Sequence, residues 1–191
     1  MDPNCWEMLL LPPQAQELLR FACTRMVHSY KPVLVGIFLD RLPLLTFPFS
    51  DVARDFVAFY RDREAKGLPV ERRSAGFVVN GGVDGDQCAA TAGKIIREVF
   101  QPSRSYAALA GGEVRLGPPR LWRMLGDGEV RDIARRLLGR ALDEFYERIA
   151  TLGEAVHGRM DPTCAAQAHE LVLSLSDTDD GDDLFGLRAG D

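Results

Sequence analysis

The chain has 191 residues, of which 46% are hydrophobic and 27% charged, enough apolar content to close one core and too little charge for a disordered polymer. The net charge is −5, and the longest apolar run without charge or proline, Val33–Leu39, falls far short of the roughly 20 residues that cross a bilayer. The N-terminus carries Asp2 and Glu7 and no basic stretch, which argues against a secretory leader and predicts a cytoplasmic protein with no membrane role.

Residues 1–12 read as an irregular N-terminal arm, with Trp6 and Met8–Leu11 folded back onto the body. Pro13 suits the first turn of a helix, where its missing N–H costs nothing, and the helix is predicted to run to about His28 with Leu18, Leu19, Ala22, Cys23 and Met26 on one face. Pro32 opens a second helix over about Lys31–Leu42, apolar nearly all round, as expected of a helix in the middle of a core. Pro43 and Pro48 bracket a short extended connection. Ser50 is the expected N-cap of a third helix over Asp51–Lys66, stopped by Gly67 and Pro69, with Val52, Phe56, Phe59 and Tyr60 as its buried stripe.

Gly76–Asp86 reads as a strand fragment and a turn at Asn80-Gly81, with Asp86 the expected cap of a fourth helix over Gln87–Phe100. Residues 101–112 read as a turn with a short helix, and Glu113–Leu116 as a short strand turned by Gly117-Pro118-Pro119. Asp127 or Gly128 opens the most periodic segment, a helix over about Glu129–Ala150. A shorter helix over Pro162–Leu173 and a flexible acidic tail from Ser174 complete the chain. The expected fold class is mainly α: a helical domain over 13–150 with one small β element, a helical appendage at 151–173 and an acidic tail at 174–191.

The charge is unevenly placed. Residues 177–191 hold six acidic residues and one arginine, so the rest of the chain is neutral, with 22 basic and 22 acidic residues. Within it, Lys94–Arg140 carries ten basic residues against five acidic ones, and 20 of the 23 basic residues are arginine, the side chain best suited to bidentate contact with phosphate or carboxylate. The candidate nucleic-acid-binding set is Lys31, Arg54, Arg61, Arg63, Arg72, Arg73, Arg104, Arg120 and Arg123, with Arg115 in the same basic stretch. A helix-turn-helix presenting 51–66 would bring Arg54 and Arg61 to phosphates. The competing reading is structural pairing of these arginines with Asp51, Asp55, Asp62 and Glu64.

Other motifs are weaker. Cys88 lies in the first turn of a predicted helix, where a thiolate is favoured, but His28, His157 and His169 stand in no recognisable partnership with it. Glu64-x-Lys66 resembles superficially the metal-nuclease pattern, which needs a strand edge where a helix is predicted here. Asp177–Asp183 has the composition of a calcium loop with the glycine and the bidentate acid out of register. Gly93-Lys94 lacks the spacing of a phosphate-binding loop, and Cys164 with His169 makes two ligands only. The four cysteines are far apart and predict reduced thiols. No metal or cofactor is expected.

Tyr30–Leu34, then Asp51–Tyr60, then Gly67–Glu71 form a series similar to a module of bacterial restriction and defence proteins, the N-terminal part of HNH-type endonucleases and segments of defence-associated helicases. Leu121–Leu125 and the helix ending at Phe145-Tyr146 complete the likeness, which spans roughly 30–150. It implies a winged-helix-like, non-catalytic module that recognises nucleic acid or a nucleic-acid-processing partner. The His-Asn-His constellation itself is missing from this chain. The expected function is therefore a non-enzymatic nucleic-acid-binding or adaptor protein. The alternatives are a helical protein-interaction subunit, such as a homo-oligomer, and a cysteine enzyme using Cys88.

Overall fold

The computed structural model describes residues 6–24, 26–71, 75–79, 82–103 and 105–158. The chain divides into a unit from Met1 to Ile149 and a second from Ala150 to Asp191, of which only the helical residues to Gly158 are described. The fold is mainly α with a small β element. The predicted helix at 162–173 and the acidic tail lie outside the described residues. No described helix is long and apolar enough to cross a membrane.

The arm is not irregular throughout: Trp6–Leu9 forms a single helical turn, α1. Met8 and Leu11 are buried as expected, whereas Trp6, Leu9 and Leu10 face outward. Helix α2 (Pro13–Cys23) starts on its proline and stops five residues earlier than the apolar pattern suggests. Its C-cap Thr24 is extended, and Ser29, further along, gives its backbone N–H to the carboxylate of Glu71 at 2.9 Å. A contact 42 residues away thus takes up the segment that periodicity would have left helical. Helix α3 (Tyr30–Arg41) is buried along most of its length, and Phe38 packs its ring against Phe47, Phe100 and Trp122.

Strand β1 (Thr46–Pro48) runs straight into helix α4 (Phe49–Ala65). Ser50 is therefore not the cap. The N-cap position is Pro48, and the Phe49 N–H, which needs a partner at a helix start, donates to the carbonyl of Gly112 at 2.8 Å. At the other end Gly67 takes φ +65°, and Gly67 and Leu68 return their N–H groups to Glu64 and Arg63, so the predicted stop is observed. Val52, Phe56 and Tyr60 are buried and Phe59 half-buried.

Strands β2 (Val78–Val79) and β3 (Gly82–Val83) pair antiparallel across positions 80–81. Helix α5 (Gly85–Ile95) is capped by Asp84, not Asp86: its Oδ1 accepts from the N–H groups of Asp86 and Gln87 at 3.0 Å each. The helix continues as a wider π turn, Ile96–Phe100.

The predicted short helix in 101–112 is instead strand β4 (Ala107–Ala110), hairpinned to β5 (Glu113–Leu116). The alanines favour a helix in isolation, but Gly111 and Gly112 both adopt positive φ, the conformation a two-residue hairpin requires. Strand β1 pairs with β5 from the other side, giving the sheet order β1-β5-β4. The element order from α3 is therefore α3-β1-α4-β2-β3-α5, the π turn, then β4-β5. Helix α6 (Pro119–Leu125) buries Trp122, whose indole N–H donates to Tyr106 and Gly117 carbonyls at 3.0 and 3.2 Å. Helix α7 (Gly128–Gly158) opens on Asp127, which caps the N–H groups of Glu129 and Val130, and runs beyond the predicted end near Ala150.

Candidate nucleic-acid interface

The fold separates the nine sequence-predicted cations into three groups. Arg72, Arg73 and Arg104 lie outside the described residues. Lys31, Arg54 and Arg63 are each engaged by the protein itself. Lys31 donates to the Phe21 carbonyl at 2.8 Å and stands 4.9 Å from the Phe21 ring centre; burial lowers the pKa of its ammonium. Arg54 bridges Asp51 and Asp55 at 3.0 and 3.2 Å along its own helix face. Arg63 donates to the Pro69 carbonyl at 2.8 Å and lies 3.4 Å from the centre of the Tyr146 ring, a cation–π contact. Of these three only Arg54 is paired with the carboxylates that the structural-pairing reading named; Lys31 and Arg63 are held by backbone carbonyls and aromatic rings instead.

Arg61, Arg120 and Arg123 are exposed and make no ion pair among the described residues. They do not share one element. Arg120 and Arg123 are on α6, which packs on α2, and Arg120 borders a small apolar hollow with Tyr106, Leu121 and Met124. Arg61 is on α4 and lines an open groove between α4 and α5 with Ala53, Val57, Gly85 and Ala89. Its guanidinium lies over the first turn of α5: a Cβ at Gly85 would come within 2.7 Å of Arg61 Nη2.

Helix α5 and the π turn after it contribute cations absent from the predicted set. Lys94 and Arg97 are both exposed, and Arg97 makes no ion pair among the described residues. Gly93 leaves room on the helix for two neighbours: a Cβ there would meet the Phe49 ring at 3.1 Å and the Arg97 guanidinium at 3.6 Å. Since Phe49 is bonded to Gly112, Arg97 sits beside the point where α4 and the β4–β5 hairpin meet. The available sequence signal was the excess of basic residues from Lys94 onward, which does not say which of them face out.

Among the described residues, five further arginines stand in ion pairs. Arg41 binds Asp55 at 2.6 Å, Arg135 binds Asp40, Arg136 and Arg140 bind Glu7, and Arg115 lies 3.5 Å from Glu113. The Glu7 carboxyl is held below its ordinary pKa, chiefly by the hydrogen bond from Arg140.

The remaining sequence candidates are structural. Cys88 is fully buried, and burial pushes its thiol up to about 12, the reverse of what a nucleophile needs at neutral pH. Glu64 accepts the Val83 N–H at 3.1 Å and holds the small hairpin to α4, while Lys66 pairs with Asp62 at 2.6 Å. Asp177–Asp183, Cys164 and His169 lie outside the described residues. No three His, Cys, Asp or Glu side chains among the described residues stand close enough to hold a metal ion.

A polar cluster that sequence reasoning missed centres on Ser29. Ser29 Oγ donates to Glu71 at 2.6 Å and receives Tyr60 and Tyr146 hydroxyls at 2.8 and 2.9 Å. It joins α3, α4, α7 and the 68–71 segment at one oxygen. Compared with family models, curated proteins and solved structures, the chain has no match in any of the three.

Proposed function

We propose that this protein is a non-enzymatic nucleic-acid-binding module, in the setting that the sequence resemblance implies, a bacterial restriction or defence system. The observation that carries the reading is two exposed guanidiniums, Arg61 on α4 and Arg97 on the π turn after α5, free of carboxylate partners among the described residues. An arginine already locked to an aspartate contributes little to phosphate binding, because the pair must be broken first. Free guanidiniums incur no such cost. The test is fluorescence anisotropy with labelled double-stranded DNA, single-stranded DNA and RNA across a salt series. Affinity should fall steeply with salt, and R61A and R97A should each reduce the salt slope by about one. No binding at low salt overturns the proposal.

A second reading is favoured by α1. Trp6, Leu9 and Leu10 are 67, 70 and 56% exposed on and just after the single turn of α1, which is fastened by Glu7 to Arg136 and Arg140. A rigidly mounted apolar patch of this kind suits a protein partner. Concentration-dependent sedimentation of the wild type that becomes monomeric in a W6A/L9A double variant would support self-association through this patch.

A further inference from the structure

We propose that the hollow between α2 and α6 binds a free amino acid with an apolar side chain, at a site separate from the guanidiniums that carry the nucleic-acid reading. The hollow has a volume of 220 Å³. Its floor is apolar: Tyr106 and Leu121 are buried, and Met124 beside them is half-buried. Clefts that take drug-sized ligands measure about 300–1,000 Å³, whereas an apolar cavity of about 150 Å³ already admits a benzene-sized group. The space is therefore too small for a drug-sized molecule and suits one branched or aromatic side chain.

The charged groups at the hollow indicate what that side chain is attached to. Arg120, on α6, is exposed and makes no ion pair among the described residues. Glu17 lines the same hollow from the neighbouring helix α2 and is not paired with Arg120. A guanidinium is a planar fork that matches a carboxylate, and a carboxylate accepts hydrogen bonds from an ammonium. An α-amino acid carries both groups on the carbon that bears its side chain, so it can meet Arg120 and Glu17 together while the side chain enters the hollow. A simple fatty acid meets Arg120 but brings a second negative charge towards Glu17, and an apolar amine has the converse defect at Arg120. Trp122 adjoins this floor: its indole N–H donates to the carbonyls of Tyr106, which lines the hollow, and of Gly117, which precedes the lining Pro118. Occupancy of the hollow therefore changes the surroundings of an intrinsic fluorophore.

The experiment is titration of the full chain, carrying W6F so that Trp122 is its only tryptophan, with L-leucine, L-methionine and L-phenylalanine as probes. Fluorescence and melting temperature should respond saturably to at least one of the three, and glycine, which has no side chain for the hollow, should change neither. For the probe that binds, the analogue lacking the amine and the analogue lacking the carboxylate should each bind about tenfold more weakly, because each loses one charge-assisted contact. R120Q should weaken the amino acid by a similar factor of about ten. Arg120 is exposed, and an unchanged melting temperature of the unliganded variant confirms that it folds. No response to any probe at millimolar concentration, an equal response to glycine, an acid or amine analogue that binds as tightly as the amino acid, or normal binding by R120Q overturns the proposal. The DNA titrations above depend on Arg61 and Arg97 and are decided separately.

Discussion

The hydroxyl of Ser29 donates to the carboxylate of Glu71 at 2.6 Å, in a site where the Ser29 side chain is fully buried. The single Ser29 hydroxyl proton is the one given to Glu71. Tyr60 and Tyr146 must then be the donors to Ser29 Oγ. One oxygen thereby aligns three helices, including α4, which carries Arg61. Removing it with S29A takes the acceptor from two tyrosine hydroxyls and one of the donors from Glu71 Oε2, which keeps the Ser29 backbone N–H. A loss of about 1–3 kcal/mol is expected in urea unfolding. Y146F removes one donor and leaves the rest of the cluster intact, so about 1 kcal/mol is expected from it. Equal stability of S29A and wild type would show that the cluster is not a structural anchor.

The attachment of α1 depends on pH. Glu7 has a folded-state pKa below the ordinary value of 4.5, with the Arg140 hydrogen bond as first cause. A depressed carboxyl value means that the stabilisation is complete above 4.5 and is lost as the pH falls through the folded-state value. Wild type should therefore be more stable than E7Q at pH 7, and the gap should close progressively in acid below about 4.5. A gap that is constant from pH 7 to pH 3, or that widens in acid, contradicts the assignment.

Cys23 and Cys88 are free, buried thiols, each pushed up to about 12 by burial. At pH 8 only a minute thiolate fraction is present, and access is closed as well. Peptide mapping after iodoacetamide treatment should find both unmodified in the folded protein and alkylated after denaturation. Rapid labelling of Cys88 in the folded state would revive the enzyme reading.

Two glycines in the hairpin and one in α7 should respond oppositely to alanine. Gly111 and Gly112 have φ of +59° and +78°, where an L-residue is strained, so G111A and G112A should each cost about 1 kcal/mol. Gly139 lies inside α7 and a Cβ there meets nothing within 4 Å, so G139A should stabilise by about 0.5–1 kcal/mol. Thermal melts of the three variants check both signs.

What could be read from the linear chain was local. The 3.6 periodicity of Val130 to Phe145, the Gly67 stop and the proline start of α2 each depend on residues within a turn or two, so neighbours in sequence suffice to determine them. The limits of that reading are visible at Ser50, Asp86 and the alanines of β4. At Ser50 and β4 a partner from elsewhere was available, Gly112 for Phe49 and β5 for β4, whereas at Asp86 the cap shifted two residues to Asp84. The charges depended still more on distance. Arg63 finds the Tyr146 ring, Arg135 finds Asp40 and Arg140 finds Glu7 across 95 to 133 positions in the last two pairs, and no spacing rule anticipates such partners. The composition of the arginine-rich stretch was set by the sequence alone. Folding determined which guanidiniums were neutralised and which, like Arg61 and Arg97, were left in solvent, because ion pairs form between groups that the backbone brings together in space.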